Sequence, residues 1–139
     1  MKLAQILVPA FFLFLSGCGG GSGSSGNNDG GTGAATTHGV SMTGSHSFNP
    51  MTVTVAAGDT VQWTNTDTAH HTVASDTGVS GMNSDPQYGT GLPGGAKFNW
   101  KVPSTAASGT TYFYHCEFHG TAGNGTSFGT GMVGSIVVK

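Results

Sequence analysis

The chain is poor in charge, in basic residues and in long apolar runs. Only 7% of its 139 residues are charged, and it has four basic side chains, all of them lysine. Because it has no basic stripe, we expect no nucleic-acid partner. Its longest mostly apolar run, residues 3–15, is shorter than the roughly 18 residues a membrane-spanning helix needs. Two cysteines also allow no framework of several disulfides.

The first seventeen residues have the order of an export signal. A basic start at residues 1–2 precedes the apolar run 3–15, and small residues then lead to Cys18. The join Leu15-Ser16-Gly17-Cys18 resembles the lipobox of bacterial lipoprotein signal peptides. That resemblance implies cleavage before Cys18 and lipidation of its thiol. The protein would then be exported and lipid-anchored to a bacterial membrane, on its periplasmic or extracellular face.

Three regions follow from this interpretation. Residues 1–17 are the cleaved signal peptide, and residues 18–37 are the lipidated cysteine and a Gly/Ser-rich flexible tether. Residues 38–139 are long enough for one domain with a single modest core. Two other states of Cys18 stay open: a free thiol, or a disulfide with Cys116, since an exported chain with two cysteines permits pairing.

Strand patterns dominate residues 38–139, and we find no helical period there. Residues 51–55 and 60–65 alternate between apolar and polar, which predicts consecutive half-buried strands joined by a tight connection. Their predicted inward residues are Met51, Val53, Val55, Val61 and Trp63. Further predicted strands cover residues 40–43, 71–74, 96–102, 110–116 and 134–138. Many short strands between turns predict an all-β antiparallel sandwich or barrel, with long loops at residues 75–95 and 120–131.

Residues 112–119, Tyr-Phe-Tyr-His-Cys-Glu-Phe-His, carry a thiol and two imidazoles at the end of a predicted strand. Strand alternation points Cys116 inward and His115 to the opposite face. His119 lies where the chain leaves the strand, so its ring can fold back toward Cys116. Thiolate suits Cu(I), zinc or iron–sulfur, and imidazole suits copper or zinc. Taken alone, this spacing also fits a buried free cysteine near a surface histidine.

A second histidine pair, His70-His71, follows a polar loop after the strand at residues 60–65. Neighbours on a strand face opposite ways, so only one of the two can point at a metal. Met132 stands at the start of the last predicted strand. A thiolate and two imidazoles in a plane, with a weak axial thioether, form the ligand set of a blue-copper electron-transfer centre. We expect His38 and His46, near the start of the domain, to be solvated.

In combination, these residues resemble the cupredoxin family, the plastocyanin and pseudoazurin type of small blue-copper protein. The motifs that match in order and approximate spacing are Phe48-Asn49-Pro50, Gly58-Asp59-Thr60-Val61-Gln62-Trp63-Thr64-Asn65, His71-Thr72-Val73, Tyr114-x-Cys116-x-x-His119 and Met132-x-Gly134-x-Ile136-Val137-Val138. The resemblance implies a Greek-key sandwich that binds one type 1 copper. The implied ligands are His71, Cys116, His119 and Met132, with His70 exposed. It further implies a monomeric carrier of single electrons between redox partner proteins, not an enzyme.

One departure from that family leaves Met132 open. Twelve residues separate it from His119, whereas the family's methionine follows within a few. Residues 120–131 would form an excursion between ligands. Alternatively, Met132 is a core residue and the axial position is empty or filled by a carbonyl.

Two other functions remain possible. His115 beside Cys116 resembles copper oxidases and nitrite reductases, although this chain lacks their further histidine clusters. A copper carrier or store that hands the metal to another exported protein would use the same ligands.

Overall fold

The computed structural model describes residues 33–139, which build two four-stranded sheets around a shared core. The strands are β1 (Thr37–Thr43), β2 (Ser47–Asn49), β3 (Thr52–Val55), β4 (Thr60–Asn65), β5 (Ala74–Ser75), β6 (Lys97–Lys101), β7 (Thr111–Gly120) and β8 (Gly131–Val138). No helix occurs in this part of the chain. It therefore contains no helix long and apolar enough to cross a membrane.

The two sheets have the strand orders β2-β1-β4-β6 and β3-β8-β7-β5. The predicted all-β sandwich is confirmed. Four of the strand pairings are antiparallel, as expected, but β1–β4 and β3–β8 are parallel. The sequence did not predict these two parallel pairs. Each joins strands separated by intervening chain, and such crossover connections permit parallel pairing.

The predicted strands at residues 51–55 and 60–65 exist, but they lie in opposite sheets. Val55, Val61 and Trp63 are fully buried, as predicted. Met51 is 50% exposed, so its predicted inward position is wrong. The strand begins one residue later, at Thr52, which leaves Met51 in the preceding bend.

Aromatic rings form the centre of the core. Tyr114 meets Trp63 edge-on at 5.2 Å between ring centroids and Phe48 at 4.8 Å. Burial of each such side chain contributes about 1.5–3 kcal/mol, and edge-to-face pairing adds about 0.5–1.5 kcal/mol. Gly134 lies against the Tyr114 ring, where any Cβ would overlap it. This packing fixes Tyr114, and through the strand it fixes Cys116 two residues later.

The sandwich has two ends, which we call the entry pole and the ligand pole. At the entry pole, where β1 begins, the Asp59 carboxylate accepts hydrogen bonds from the backbone N–H groups of Thr36 and Ala56 and pairs with His38 at 2.8 Å. These contacts, led by the Thr36 N–H, lower the pKa of Asp59 from 3.8 to about 2. His38 is therefore a structural partner, and the expectation that it is solvated is wrong. The ligand pole holds His71, Cys116 and His119.

Candidate metal centre

The end of β7 departs from the regular ladder, and this departure forms the metal centre. His115 pairs with Val133 and Gly120 with Gly131, so five residue steps on β7 oppose two on β8. Strict alternation would place residues three apart on opposite faces of a strand. The bulged segment instead turns both Cys116 and His119 toward one point.

His71 reaches the same point from the loop after β4. Its backbone N–H donates to the Leu92 carbonyl at 3.2 Å, and the Leu92 N–H donates to the His71 carbonyl at 2.7 Å. This single bridge replaces the strand predicted over residues 71–74, of which only Ala74 is in a strand. His71 and Cys116 are fully buried, and His119 is half-buried.

Three donor atoms converge at the ligand pole. Cys116 Sγ lies 3.5 Å from His119 Nδ1 and 3.8 Å from His71 Nδ1, and the two nitrogens are 3.1 Å apart. A point equidistant from these three atoms would lie about 2.0 Å from each, close to the roughly 2.0–2.3 Å of metal–imidazole and metal–thiolate bonds. One thiolate and two imidazoles in this triangle fit the trigonal plane of a blue-copper site.

The rings of His71 and His119 can each offer a nitrogen lone pair to a metal. Burial lowers the pKa of His119 below its ordinary value, and the neighbouring His46 and His71 lower it further. His71 Nε2 lies 3.2 Å from Asp67 Oδ2, so Nε2 carries the ring proton and Nδ1 is left for a metal. The Thr68 N–H, followed by His71, lowers the pKa of Asp67, which keeps this carboxylate charged.

Thr72 connects the two ligand-bearing segments. Its backbone N–H donates to Cys116 Sγ at 3.3 Å, and its hydroxyl accepts from the Glu117 N–H at 2.8 Å. A hydrogen bond to the sulfur disperses thiolate charge, and bonds of this kind tune the potential of copper–thiolate sites. Sequence reasoning did not assign a role to Thr72 or Asp67. The position of Thr72, directly after a candidate ligand, was the available signal.

Met132 lies next to the end of the bulged segment of β7, although twelve residues separate it from His119 along the chain. Gly120 and Gly131 are paired, and Thr121 and Thr130 are bonded through backbone and hydroxyl groups, so the excursion closes on itself. Gly131 has φ +75°, and a Cβ there would overlap the His119 carbonyl. Met132 begins the buried part of β8 and belongs to the same core cluster as Cys116.

Residues 121–130 of the excursion contact the outer face of β7 and the segment after β5. The Gly123 N–H donates to Asp76 Oδ2 at 2.7 Å, and the Phe128 ring meets Phe113 edge-on at 5.1 Å. The other oxygen of Asp76 bonds His115 Nδ1 at 2.7 Å. His115 therefore faces away from the metal centre, as predicted, and is held by a buried carboxylate.

The remaining histidines of the ligand pole have different environments. His70 is exposed, as the sequence predicts, with Nδ1 2.8 Å from the Thr90 carbonyl. His46 is exposed, yet its ring stacks on His119 with centroids 4.0 Å apart and planes inclined by 11°. His46 is therefore exposed to solvent, as expected, and it also contacts a candidate ligand, which the sequence did not predict. Its φ of +53° costs a non-glycine residue about 1–2 kcal/mol.

A two-sheet sandwich in which one cysteine and two histidines converge at one pole defines the cupredoxin class of copper protein. Residues 35–139 match the family model for copper binding proteins of the plastocyanin/azurin family. The chain belongs to this family. Copper is accordingly its cofactor, and His71, Cys116 and His119 form the candidate type 1 site.

Solved structures of two amicyanin variants support the fold. A reduced Cu(I) form, at pH 4, of a proline-to-glycine variant of amicyanin is 24% identical, with a TM-score of 0.51 over 77% of this chain and 84% of that one. An oxidised proline-to-alanine variant of amicyanin is 24% identical, with a TM-score of 0.50 over 76% and 82%. A purple cupredoxin from Nitrosopumilus maritimus is also 24% identical, with a TM-score of 0.48 over 73% and 98%.

Proposed function

We propose that this protein carries single electrons between redox partner proteins at a mononuclear type 1 copper centre. Bound copper would supply the one-electron chemistry by alternating between Cu(II) and Cu(I). The observation that carries the proposal is the convergence of Cys116 Sγ, His71 Nδ1 and His119 Nδ1 within 3.1–3.8 Å of one another. Donors already gathered at bonding distance need little movement when the charge of the metal changes.

Each ligand has a distinct task in this proposal. Cys116 supplies the thiolate, whose charge the Thr72 N–H disperses. His71, oriented by Asp67, is fully buried and fixes the inner edge of the site. Met132 would be the axial thioether, which is supported by its burial in the same core cluster as Cys116 and by the closed ends of the excursion.

The surface around His119 is suited to contact with a protein partner. His119 is half-buried, and the neighbouring Phe118 is 54% exposed, with its ring edge-on to His119 at 6.3 Å. Phe118 also packs against Gly91. A single exposed apolar side chain is common on protein surfaces, so it is the position of Phe118 beside His119 that supports a contact role. A partner docked here would be separated from the metal centre by little more than the His119 ring.

An enzymatic role would require a second reactive centre. Within residues 33–139, His71, Cys116 and His119 are the single group of three or more His, Cys, Asp or Glu side chains close enough to hold a metal ion. His115, the residue that suggested copper oxidases, is bonded to Asp76. Our proposal of electron transfer without a catalytic step on a substrate is supported by membership of the plastocyanin/azurin copper-binding family.

A redox titration separates electron transfer from copper delivery. The copper-loaded protein is reduced and reoxidised through several cycles, with a Cu(I) chelator present outside the protein. We expect the optical signal of Cu(II) to return fully after each cycle, because the rigid donor set retains both oxidation states. Progressive transfer of copper to the chelator on reduction would instead indicate a carrier that releases its metal.

We also propose that the protein is exported and anchored through lipidated Cys18, a residue that lies outside residues 33–139. The order of residues 1–18 supports this proposal. Membrane fractionation tests the proposal: Cys18→Ala should move the protein to the soluble fraction, and retention in the membrane would refute the anchor.

A further inference from the structure

The loop that joins β1 to β2 holds a histidine where its backbone favours glycine. Thr43 pairs with Ser47 across the loop, the His46 N–H donates to the Thr43 carbonyl at 2.9 Å, and His46 has φ +53°. Three-residue hairpin loops place one residue in the left-handed region, which glycine adopts without steric cost and which asparagine, aspartate and histidine adopt more often than other residues. The turn therefore permits a histidine here but does not require one.

The strained backbone places the His46 ring against both imidazoles of the metal centre. It stacks on His119 at 4.0 Å and 11°, and it meets His71 edge-on at 6.0 Å and 67°. Strained residues of this kind concentrate at functional sites, where the surrounding structure holds them. The contact with two candidate ligands supplies a role for the strain at His46.

The turn is held by contacts that do not involve the metal centre. The hydroxyl oxygens of Thr43, Ser45 and Ser47 lie 2.8–2.9 Å from one another. With the backbone bond from His46 to Thr43, they fix the loop on β1 and β2. The hairpin thus sets the backbone position of His46 without any contact to the metal centre.

His119 has less support from hydrogen bonds than His71. The second nitrogen of His71 bonds the Asp67 carboxylate. Within residues 33–139, the hydrogen bonds of the His119 ring run from Nδ1 to His71 and Cys116, and Nε2 has none. A metal-binding imidazole ordinarily has its other nitrogen held, which fixes the plane of the ring. At His119 the stacked ring is the contact that can do this.

We propose that His46 is a positioning residue for the copper centre: its ring, fixed by the β1–β2 hairpin, holds the His119 imidazole with Nδ1 facing Cys116 Sγ. The stack restricts rotation of the ring about its bond to Cβ. It thereby keeps His119 in the donor triangle in both oxidation states. The consequence for copper rests on the proposed function, whereas the restraint itself is a property of the metal-free protein.

Two substitutions of His46 distinguish the effect of its ring from the effect of its backbone conformation. His46→Gly removes the ring and suits the positive φ, so its thermal midpoint should be no lower than that of the wild type. His46→Phe keeps an aromatic ring over His119. His70→Ala, which removes another exposed imidazole of the ligand pole, is the control that leaves the His46 ring in place.

The first measurement is NMR of the His119 ring in the metal-free protein. In the wild type the stacked ring shifts the His119 ring protons upfield. We expect this shift to be lost in His46→Gly and retained in His46→Phe and His70→Ala. An unchanged His119 spectrum in His46→Gly, or a loss in His46→Phe equal to that in His46→Gly, would overturn the proposal.

The second measurement is the Cu(I) dissociation constant. Loss of an outer contact to a metal ligand weakens binding by about 10–100-fold, and we expect at least the lower value for His46→Gly, with recovery in His46→Phe. Equal affinities for the wild type and His46→Gly would overturn the role at the metal. If the wild type bound no copper, the proposed function would fail, and the metal-free spectra would still decide whether His46 positions His119.

Discussion

At the scale of single residues, the donor set is held by groups that engage the atoms facing away from the metal. The Asp67 carboxylate accepts a hydrogen bond from Nε2 of His71. The Thr72 N–H donates a hydrogen bond to Cys116 Sγ, which disperses the charge of the thiolate. Interactions of this kind orient ligands and adjust potentials without touching the metal. The potential of the centre should therefore respond both to its ligands and to the residues behind them.

Met132 is the ligand whose role most needs a direct test. Met132→Leu preserves side-chain volume and removes the sulfur, so we expect copper binding to persist through the other three ligands. The redox potential should rise, because an axial donor stabilises Cu(II) more than Cu(I). Cyclic voltammetry of the variant measures this change.

The matched control is Met82→Leu, since Met82 is also fully buried but lies in the loop after β5. Its potential should equal that of the wild type. A Met132→Leu variant with an unchanged potential would show that Met132 is a core residue and not a ligand.

The sequence was sufficient to place Cys116, His119 and His71, because ligand chemistry and motif spacing identify them. The sequence was not sufficient to reveal that His46 contacts the metal centre. Its contact with His119 joins residues 73 positions apart through a turn with positive φ, and neither pattern nor propensity encodes this. Asp67 was missed for a similar reason, since an aspartate in a polar loop is most often solvated.

At the scale of elements, the excursion between His119 and Met132 is an addition that leaves the ligand geometry intact. Its ends meet at the Gly120–Gly131 pair, and its body rests on Asp76 and Phe113. The ligands at either end are thus related through the β7–β8 ladder and not through the residues of the loop.

Replacement of residues 121–130 by Asn-Gly tests this description. Asn-Gly forms the tight turn suited to a two-residue hairpin connection, so Gly120 and Gly131 should stay paired. We expect the visible absorption and the redox potential of the copper-loaded variant to match those of the wild type. The thermal midpoint should fall, because the contacts of Phe128 and Gly123 are lost.

The opposite result, loss of copper binding in a variant that still folds, would make the excursion part of the metal centre. A Phe128→Ala variant serves as the partial control. It should lower the thermal midpoint by a smaller amount and leave the absorption unchanged.

Strand positions were predictable from alternation, but strand partners were not. The alternating patterns identify β3 and β4, yet the short connection between them crosses from one sheet to the other. The three-residue β2 was missed, since it is too short for a period to be visible. The extension of β7 to Gly120 was missed because a bulge interrupts the alternation after His115.

At the scale of the whole molecule, the ligand pole carries the proposed function and the entry pole contributes to stability. The ligand pole gathers the donor set and the exposed Phe118, whereas the entry pole holds the Asp59 contacts that close β1 onto β4. Asp59 is buried, so these hydrogen bonds are shielded from solvent. They should matter for folding and not for the potential of the metal.

Acid unfolding of the metal-free protein tests the role of Asp59. Its pKa is lowered from 3.8 to about 2 in the folded state, so its stabilisation is present above about pH 3.8 and is lost as the pH falls through 2. We expect Asp59→Asn to reduce the free energy of unfolding by about 2 kcal/mol at pH 6. The difference from the wild type should shrink toward pH 2.

Urea unfolding at a series of pH values gives this difference directly. Lys101→Ala, at an exposed residue of the same pole, is the control and should show no comparable pH dependence. A wild-type–variant difference that stayed constant from pH 6 to pH 2 would mean that Asp59 does not act through its charge.

The central claim is that Cys116 binds copper as a thiolate together with His71 and His119. The most direct measurement is the visible absorption of the Cu(II)-loaded protein, with Cys116→Ser as the comparison. The structure predicts an intense thiolate-to-copper band at about 600 nm in the wild type and its loss in Cys116→Ser. A wild type that binds Cu(II) without this band, or a Cys116→Ser variant that keeps it, would contradict the type 1 site.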